Sequence, residues 1–187
     1  MVGDIWSHLQ CNSDIKIAPL VYLDQNELYL PSDLQAQLNN TYPTLNYTAL
    51  PKAEVPSPLL LSDLEQLNIL GNCMQFDTCP IYLTSKDNIT ANPPWLYGIL
   101  PDPVTGQTVD AKSCAIIVND HGGGLIDAYY MYFYAFNLGE TVLGQVLGDH
   151  VGDWEHSMVR FQNGTPISVW LSQHDVSAHP RFNKNLS

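Results

Sequence analysis

Basic residues are scarce in this chain. Of 187 residues only seven are Lys or Arg, against nineteen Asp or Glu, giving a formal net charge of −12 and a sequence pI near 4.5. Phosphate recognition needs clustered Lys and Arg, so nucleic acid is disfavoured as a partner, and so is electrostatic docking on an anionic membrane. Long apolar runs are missing too. Hydrophobic residues make up 45% of the chain, yet no run approaches the roughly 20 positions of a membrane-spanning helix. Low-complexity tracts and long-period repeats are absent. So are the H-E-x-x-H, P-loop and G-x-S-x-G signatures of zinc proteases, nucleotide binders and serine hydrolases. What remains is a globular chain long enough to bury a core, expected to form a single domain over 1–187. Its acidic balance keeps it in solution and suits a multivalent cation or a neutral ligand such as a sugar.

Cysteines and sequons bear on the compartment. Cys11, Cys73, Cys79 and Cys114 are an even set without the C-x2-C spacing of a zinc ribbon. Cys73–Cys79 is a natural short loop, leaving Cys11–Cys114, although four cysteines allow three connectivities. Asn-x-Ser/Thr sequons stand at Asn39, Asn46, Asn88, Asn163 and Asn185. Asn163 is the poor acceptor of the set, because Pro166 follows its Thr165. This excess points to a secretory route, with the protein secreted. The opening "MVGDIWSHLQ" has neither a basic nor an apolar signal region, so a signal is expected to have been removed.

Along the chain, "IKIAPLVYL" (15–23) reads as a buried strand. Ser32 with Gln35, and Ser62 with Glu65, form capping-box patterns that predict two short helices, connected through the Pro-rich 51–59. From 114 onward the pattern turns to sheet. "CAIIV" is a short strand, and "LIDAYYMYFYAF" (125–136) is a long one, apolar on both faces and therefore covered on both. "DWEHSMVRF" and "ISVWLSQH" form a hairpin around Asn163-Gly164. The fold class is mainly β, an antiparallel β-sandwich of jelly-roll character with a few short helices.

The hairpin places the densest polar stretch, "GDHVGDWEH" (148–156). If Gln162 faces Thr165, Asp153 lies opposite His174 and Glu155 opposite Ser172. Strand alternation then puts Asp153 and Glu155 on one face and Trp154 on the other. His150 precedes them, in a turn loosened by Gly148 and Gly152. A bulge near the turn would shift this register by one and remove His174. Two carboxylates with one or two imidazoles form an oxygen and nitrogen donor set. Carboxylates favour Ca²⁺ or Mg²⁺, and imidazole moves the balance towards Mn²⁺ or Zn²⁺.

"IAPLVYLDQNELYLPSDLQAQLNNTYPTLNYTAL", "IYLTSKDN", "IDAYYMYFYAFNLG" and "GDHVGDWEHSMVRFQNGTPISVWLSQH" together resemble the vacuolar protein sorting-associated protein 62 family, in order from about residue 15 to 175. The resemblance implies a role in delivery to the vacuole and no particular chemistry. Members of that family continue with further strands and another histidine-containing segment, so a chain ending at Ser187 would lack strands that close the sandwich. "DHVGDWE" is also distantly similar to the Gly-His-Arg-His-Asp-Trp-Glu heptapeptide of necrosis- and ethylene-inducing-like toxins. Those secreted β-sandwiches hold a divalent cation through the His, Asp and Glu of the motif and an earlier Asp. The similarity implies a cation on His150, Asp153 and Glu155, with recognition of a glycan or glycolipid head group. The chain departs from the toxins at Asp149, Val151 and Gly152. For the earlier acid it offers Asn137, or Glu140 nearby.

The rival reading is a metal-dependent hydrolase in which Asp153, Glu155 and His150 activate a bound water. A third is a non-catalytic sorting or structural protein. "HGGG" (121–124) reads as a glycine-rich turn. Asp127 is either an edge-facing residue or a buried acid needing a partner. The tyrosines at 129, 130, 132 and 134 are expected in the core, and Trp154 and Trp170 are expected to pack inside.

Overall fold

The computed structural model describes residues 21–24, 26–71 and 80–172. The chain divides into two compact units. One comprises Leu28–Ala111 and Tyr134–Asp153; the other combines Lys112–Phe133 with the described parts of Met1–Glu27 and Trp154–Ser187.

The first unit begins with α1 (Leu34–Asn40), which runs directly into β1 (Thr41–Leu45). Its cap is Asp33, whose carboxylate accepts the Ala36 amide. The expected cap, Ser32, sits one residue earlier and is buried. Gln35 makes no box with it; its carboxamide reaches Leu59 O and accepts from the Leu61 amide. The second helix is displaced in the same direction. A 3-10 turn over Leu61–Asp63 leads into α2 (Leu64–Leu70), and Asp63 rather than Ser62 accepts the Leu60 amide. In both places a carboxylate next to the serine takes the donor, because charge-assisted bonds are the stronger ones.

Leu38, Leu59 and Leu67 close one core of this unit, with Leu50, Val55, Leu61 and Leu83 against them. Each fully buried leucine contributes about 2 kcal/mol. Tyr29, Leu96 and Phe136 form a second, packed by Ile89, Trp95, Tyr97 and Val151. β1 and β2 (Thr48–Ala49), which lie between the helices in sequence, join β3 (Ile81–Ser85), which follows α2, in a three-stranded antiparallel sheet ordered β2–β1–β3. Sequence reading missed this sheet. Its strands are short, and its two-residue turn is Asn46-Tyr47, not the Asn-Gly pair that signals a hairpin. The expected strand at 15–23 falls mostly outside the described residues; Val21, Tyr22 and Leu23 are exposed and not strand.

The later strands follow the sequence closely. β4 (Cys114–Asp120), β5 (Leu125–Asn137), β8 (His150–Gln162) and β9 (Thr165–Leu171) make a four-stranded sheet ordered β4–β5–β8–β9, and β6 (Glu140–Val142) pairs with β7 (Gln145–Leu147). All the registered pairs are antiparallel. The protein is mainly antiparallel β, with two short α-helices among the described residues, consistent with the β-sandwich class read from the sequence. In the second unit Ala128, Tyr130 and Phe161 form the core with Ile116, Ile126, Tyr132 and Val159. Tyr130 is buried as expected, whereas Tyr129, Tyr132 and Tyr134 are only half-buried. Trp154 corrects another expectation. Its ring contacts Phe133 at 5.0 Å but is 42% exposed, so it lies at the surface and not inside.

Candidate functional site

The stretch 148–156 is strand almost throughout, because β8 starts at His150. His150 is therefore a strand residue and not part of a turn, although Gly148 and Gly152 do take positive φ, +85° and +76°. His150 is exposed, and its Nδ1 lies 3.1 Å from Gly152 O. A carbonyl can only accept, so Nδ1 carries the proton and Nε2 of the neutral ring keeps its lone pair. Asp153 is half-buried and Asp149 and Glu140 are exposed. Asn137 Nδ2 donates to Gly148 O at 3.4 Å.

Glu155, exposed, is tied by Ser172: Ser172 Oγ donates to Glu155 Oε2 at 2.7 Å and accepts the His156 amide at 3.3 Å. The Ser172 amide in turn donates to His156 O. Ser172 thus sits against His156 in the ladder, not opposite Glu155, though its hydroxyl still reaches the carboxylate. The cause is a bulge. Gln162 pairs with Thr165 and Phe161 with Pro166, as expected from the Asn-Gly turn, but Arg160 pairs with Ser168, leaving Ile167 extra. Pro166 has no amide to donate, and such residues are accommodated at bulges. Beyond Arg160 the register by which Asp153 faces His174 no longer holds, and His174 itself lies outside the described residues. Among the described residues no group of three or more His, Cys, Asp and Glu is placed to hold a metal ion.

The glycine-rich turn is what the sequence indicated. His121–Gly124 links β4 to β5, with Gly122, Gly123 and Gly124 all at positive φ. It lies against the β8–β9 turn: Asn163 N donates to Gly124 O and Gln162 Nε2 to Gly123 O. A Cβ on Gly124, at φ +77°, would be strained and would meet Asn163 Oδ1 at 2.0 Å, so a side chain there would have to displace the Asn163 carboxamide.

Beside these turns is a polar cluster that sequence reading did not assemble. Asp127, 2% exposed, accepts from Arg160 Nε at 2.7 Å, from Arg160 Nη2 at 2.8 Å and from His121 Nε2 at 2.8 Å. Arg160 also lies 5.0 Å over the Trp170 ring, which is half-buried. Arginine bonding lowers the Asp127 carboxyl to about 2, burial opposing and His121 assisting. One signal could have found the pair. A lone acid in an apolar strand needs a cation, and Arg160 is the single basic residue between Lys112 and Arg181. With its oxygens committed, this carboxylate organises the sheet; it is not free to act as a base.

Of the sequons, Asn39, Asn46, Asn88 and Asn163 are exposed, and Asn185 lies outside the described residues. Cys11, Cys73 and Cys79 lie outside as well; Cys114 opens β4, and no free cysteine occurs among the described residues.

Fold and cluster together define a mainly antiparallel β protein in which a buried aspartate, Asp127, is held by Arg160 and His121 nearer the surface. Its similarities point to relatives in one organism. The chain is 36% identical over 175 residues, 90% of its length, to the Saccharomyces cerevisiae protein described as "Putative vacuolar protein sorting-associated protein TDA6". It is 45% identical over 102 residues, 54% of its length, to vacuolar protein sorting-associated protein 62 of the same yeast. The chain is related in sequence to the vacuolar protein sorting-associated protein 62 family, as its own motifs indicated. These matches span 37% and 22% of the two relatives. No protein-family model and no solved structure matches the chain.

Proposed function

We propose that this protein serves delivery to the vacuole as a non-catalytic binding component that travels the secretory route to the vacuolar lumen. The observation that carries this reading is the similarity over 175 residues to a yeast sorting-associated protein. The side chains add support. Among the described residues the most deeply buried acid, Asp127, is bound up with Arg160, and Glu155 is tied to Ser172. The test is complementation. Yeast lacking both relatives would express this chain, and the fraction of a soluble vacuolar hydrolase that escapes to the medium would be measured. Restored retention supports the reading; unchanged escape, with the folded chain present at normal level, overturns it.

A second reading rests on His150. A ring whose Nδ1 donates to a carbonyl has its Nε2 fixed in the ligating tautomer, the arrangement found behind metal-bound histidines. His150, Asp153 and Asn137 would then hold a divalent cation, Ca²⁺ or Mg²⁺ before Mn²⁺ or Zn²⁺, and the cation would present a glycan or glycolipid head group. On the hydrolase alternative Asp153, Glu155 and His150 would activate a water. Melting with EDTA, and then with each cation restored, tests the shared premise.

A further inference from the structure

Two hairpins of this protein turn on an asparagine followed by one residue, both residues at positive φ. At 163–164 the pair is Asn-Gly, with φ of +50° and +76°. At 46–47 it is Asn-Tyr, with φ of +48° and +64°. Asparagine tolerates the left-handed region and glycine is indifferent to it, but for a bulky side chain it is strained. Tyr47 therefore occupies a position where glycine would fold more easily.

What the strain secures is visible in the rings. Tyr47 stacks on Tyr82 of β3 with centroids 4.6 Å apart and planes 5° from parallel. Tyr47 remains 78% exposed and Tyr82 41%. Tyr42 pairs with Thr84, and Tyr82 with Thr44, so both tyrosines lie on the same face of the small sheet, where Tyr42 is 37% exposed. This is a flat aromatic surface held out in water, the opposite of what core packing would produce.

The residue before Tyr47 names the occupant. Asn46-Tyr47-Thr48 is a sequon, and all three of its residues are exposed. Asn46 is anchored by its amide to Pro80 O, while its carboxamide has no hydrogen bond to another described residue. The other described sequons differ. Asn88 Oδ1 caps a 3-10 turn through Thr90, Asn39 Oδ1 accepts from Gln35, and Asn163 is followed by Pro166. The axial C–H bonds on one face of a pyranose carry partial positive charge, and the negative face of an aromatic ring attracts them. A sugar on Asn46 starts within one residue of such a face.

We propose that Asn46 carries an N-linked glycan whose first N-acetylglucosamine packs on the Tyr47–Tyr82 stack. The inference rests on the secretory route of the preceding reading. The donor is a lipid-pyrophosphate-linked oligosaccharide. The Asn46 carboxamide nitrogen forms a bond to the anomeric carbon, the C1–O bond to pyrophosphate breaks, the nitrogen loses one proton, and the lipid pyrophosphate leaves with the electron pair. Nothing is oxidised or reduced. The docked sugar covers an exposed apolar surface and gives the strained turn its function.

The experiment uses the full chain produced in the secretory lumen of a glycosylating yeast, with peptide mapping of each sequon and melting before and after enzymatic trimming. Asn46 is expected to be occupied. Trimming to the first sugar is expected to leave Tm in place, and removing that sugar to lower it by about 2 °C or more. Tyr47→Gly recreates the Asn-Gly turn that the protein already uses, so it folds and keeps its sequon; its Tm is expected to be indifferent to the sugar. Thr48→Ala, lacking the sequon, is expected to melt like the fully deglycosylated wild type. An unoccupied Asn46, or an equal loss of Tm in wild type and Tyr47→Gly, overturns the proposal. Retention of vacuolar hydrolase by Thr48→Ala is read separately, so the sorting role and the glycan can fail independently.

Discussion

Arg160 and Asp127 meet through two parallel hydrogen bonds, Nε to Oδ1 at 2.7 Å and Nη2 to Oδ2 at 2.8 Å, joining β8 to β5. The carboxylate is buried, and the arginine, which lies over Trp170, is a third exposed. Such a pair is costly to assemble and more costly to break by half, because the surviving charge stays in a poor solvent.

Removing the arginine is therefore expected to harm the fold more than removing both partners. Arg160→Met should lower Tm by about 6 °C or more, and Asp127→Leu/Arg160→Met should recover most of that loss. Calorimetry on the three proteins decides it. A double variant no better than the single would show that the network itself, and not an orphaned charge, holds the sheet.

The same pair sets an acid limit. The Asp127 carboxyl moves from 3.8 in the unfolded chain to about 2 in the fold, chiefly through Arg160. A lowered carboxyl stabilises the fold above its unfolded value, and that stabilisation is lost as pH falls. Stability should drop between about pH 4 and pH 2. Asp127→Asn should lack this component of the drop. Urea midpoints across the interval would show it, and parallel profiles for the two proteins would refute it.

Gly98 is expected to tolerate no side chain. Its φ is +73°, and a Cβ would meet Leu30 O at 2.0 Å, where 28–31 runs beside 97–99 through the Leu30–Tyr97 and Ile99–Pro31 backbone bonds. Gly98→Ala should cost more than about 3 kcal/mol, since backbone cannot move aside as a flexible side chain can. Denaturant unfolding measures it. Gly144→Ala, at φ +79° with open space around it, serves as the control for strain alone and should cost about 1 kcal/mol.

His150→Ala/Asp153→Ala separates the two functional readings. If the chain acts by binding without a cation, the variant should retain vacuolar hydrolase as wild type does, and no cation should shift the Tm of either. If a cation is held there, Ca²⁺ or Mg²⁺ should raise the wild-type Tm and leave the variant unmoved.

Much of the sheet was legible because two periods are hard to disguise. β5 was readable from the twelve mostly apolar and aromatic residues 125–136, and the β8–β9 hairpin from Asn163-Gly164. The sheet of β1, β2 and β3 was not, since its turn residue is a tyrosine and its strands join residues nearly forty positions apart, such as Thr44 and Tyr82. The polar site was legible as composition but not as geometry. Counting from the turn placed the partners of Asp153 and Glu155, and one extra residue at Ile167 moved them.

The sequence by itself determined the charge balance, the mainly antiparallel class and the turn at His121–Gly124, because each depends on residue type or local spacing. Only the tertiary structure decided that Asp127 finds Arg160 and that Tyr47 rests on Tyr82. Those contacts join residues more than thirty positions apart, and a long-range pairing follows from strand order and register, which short-range preferences do not encode.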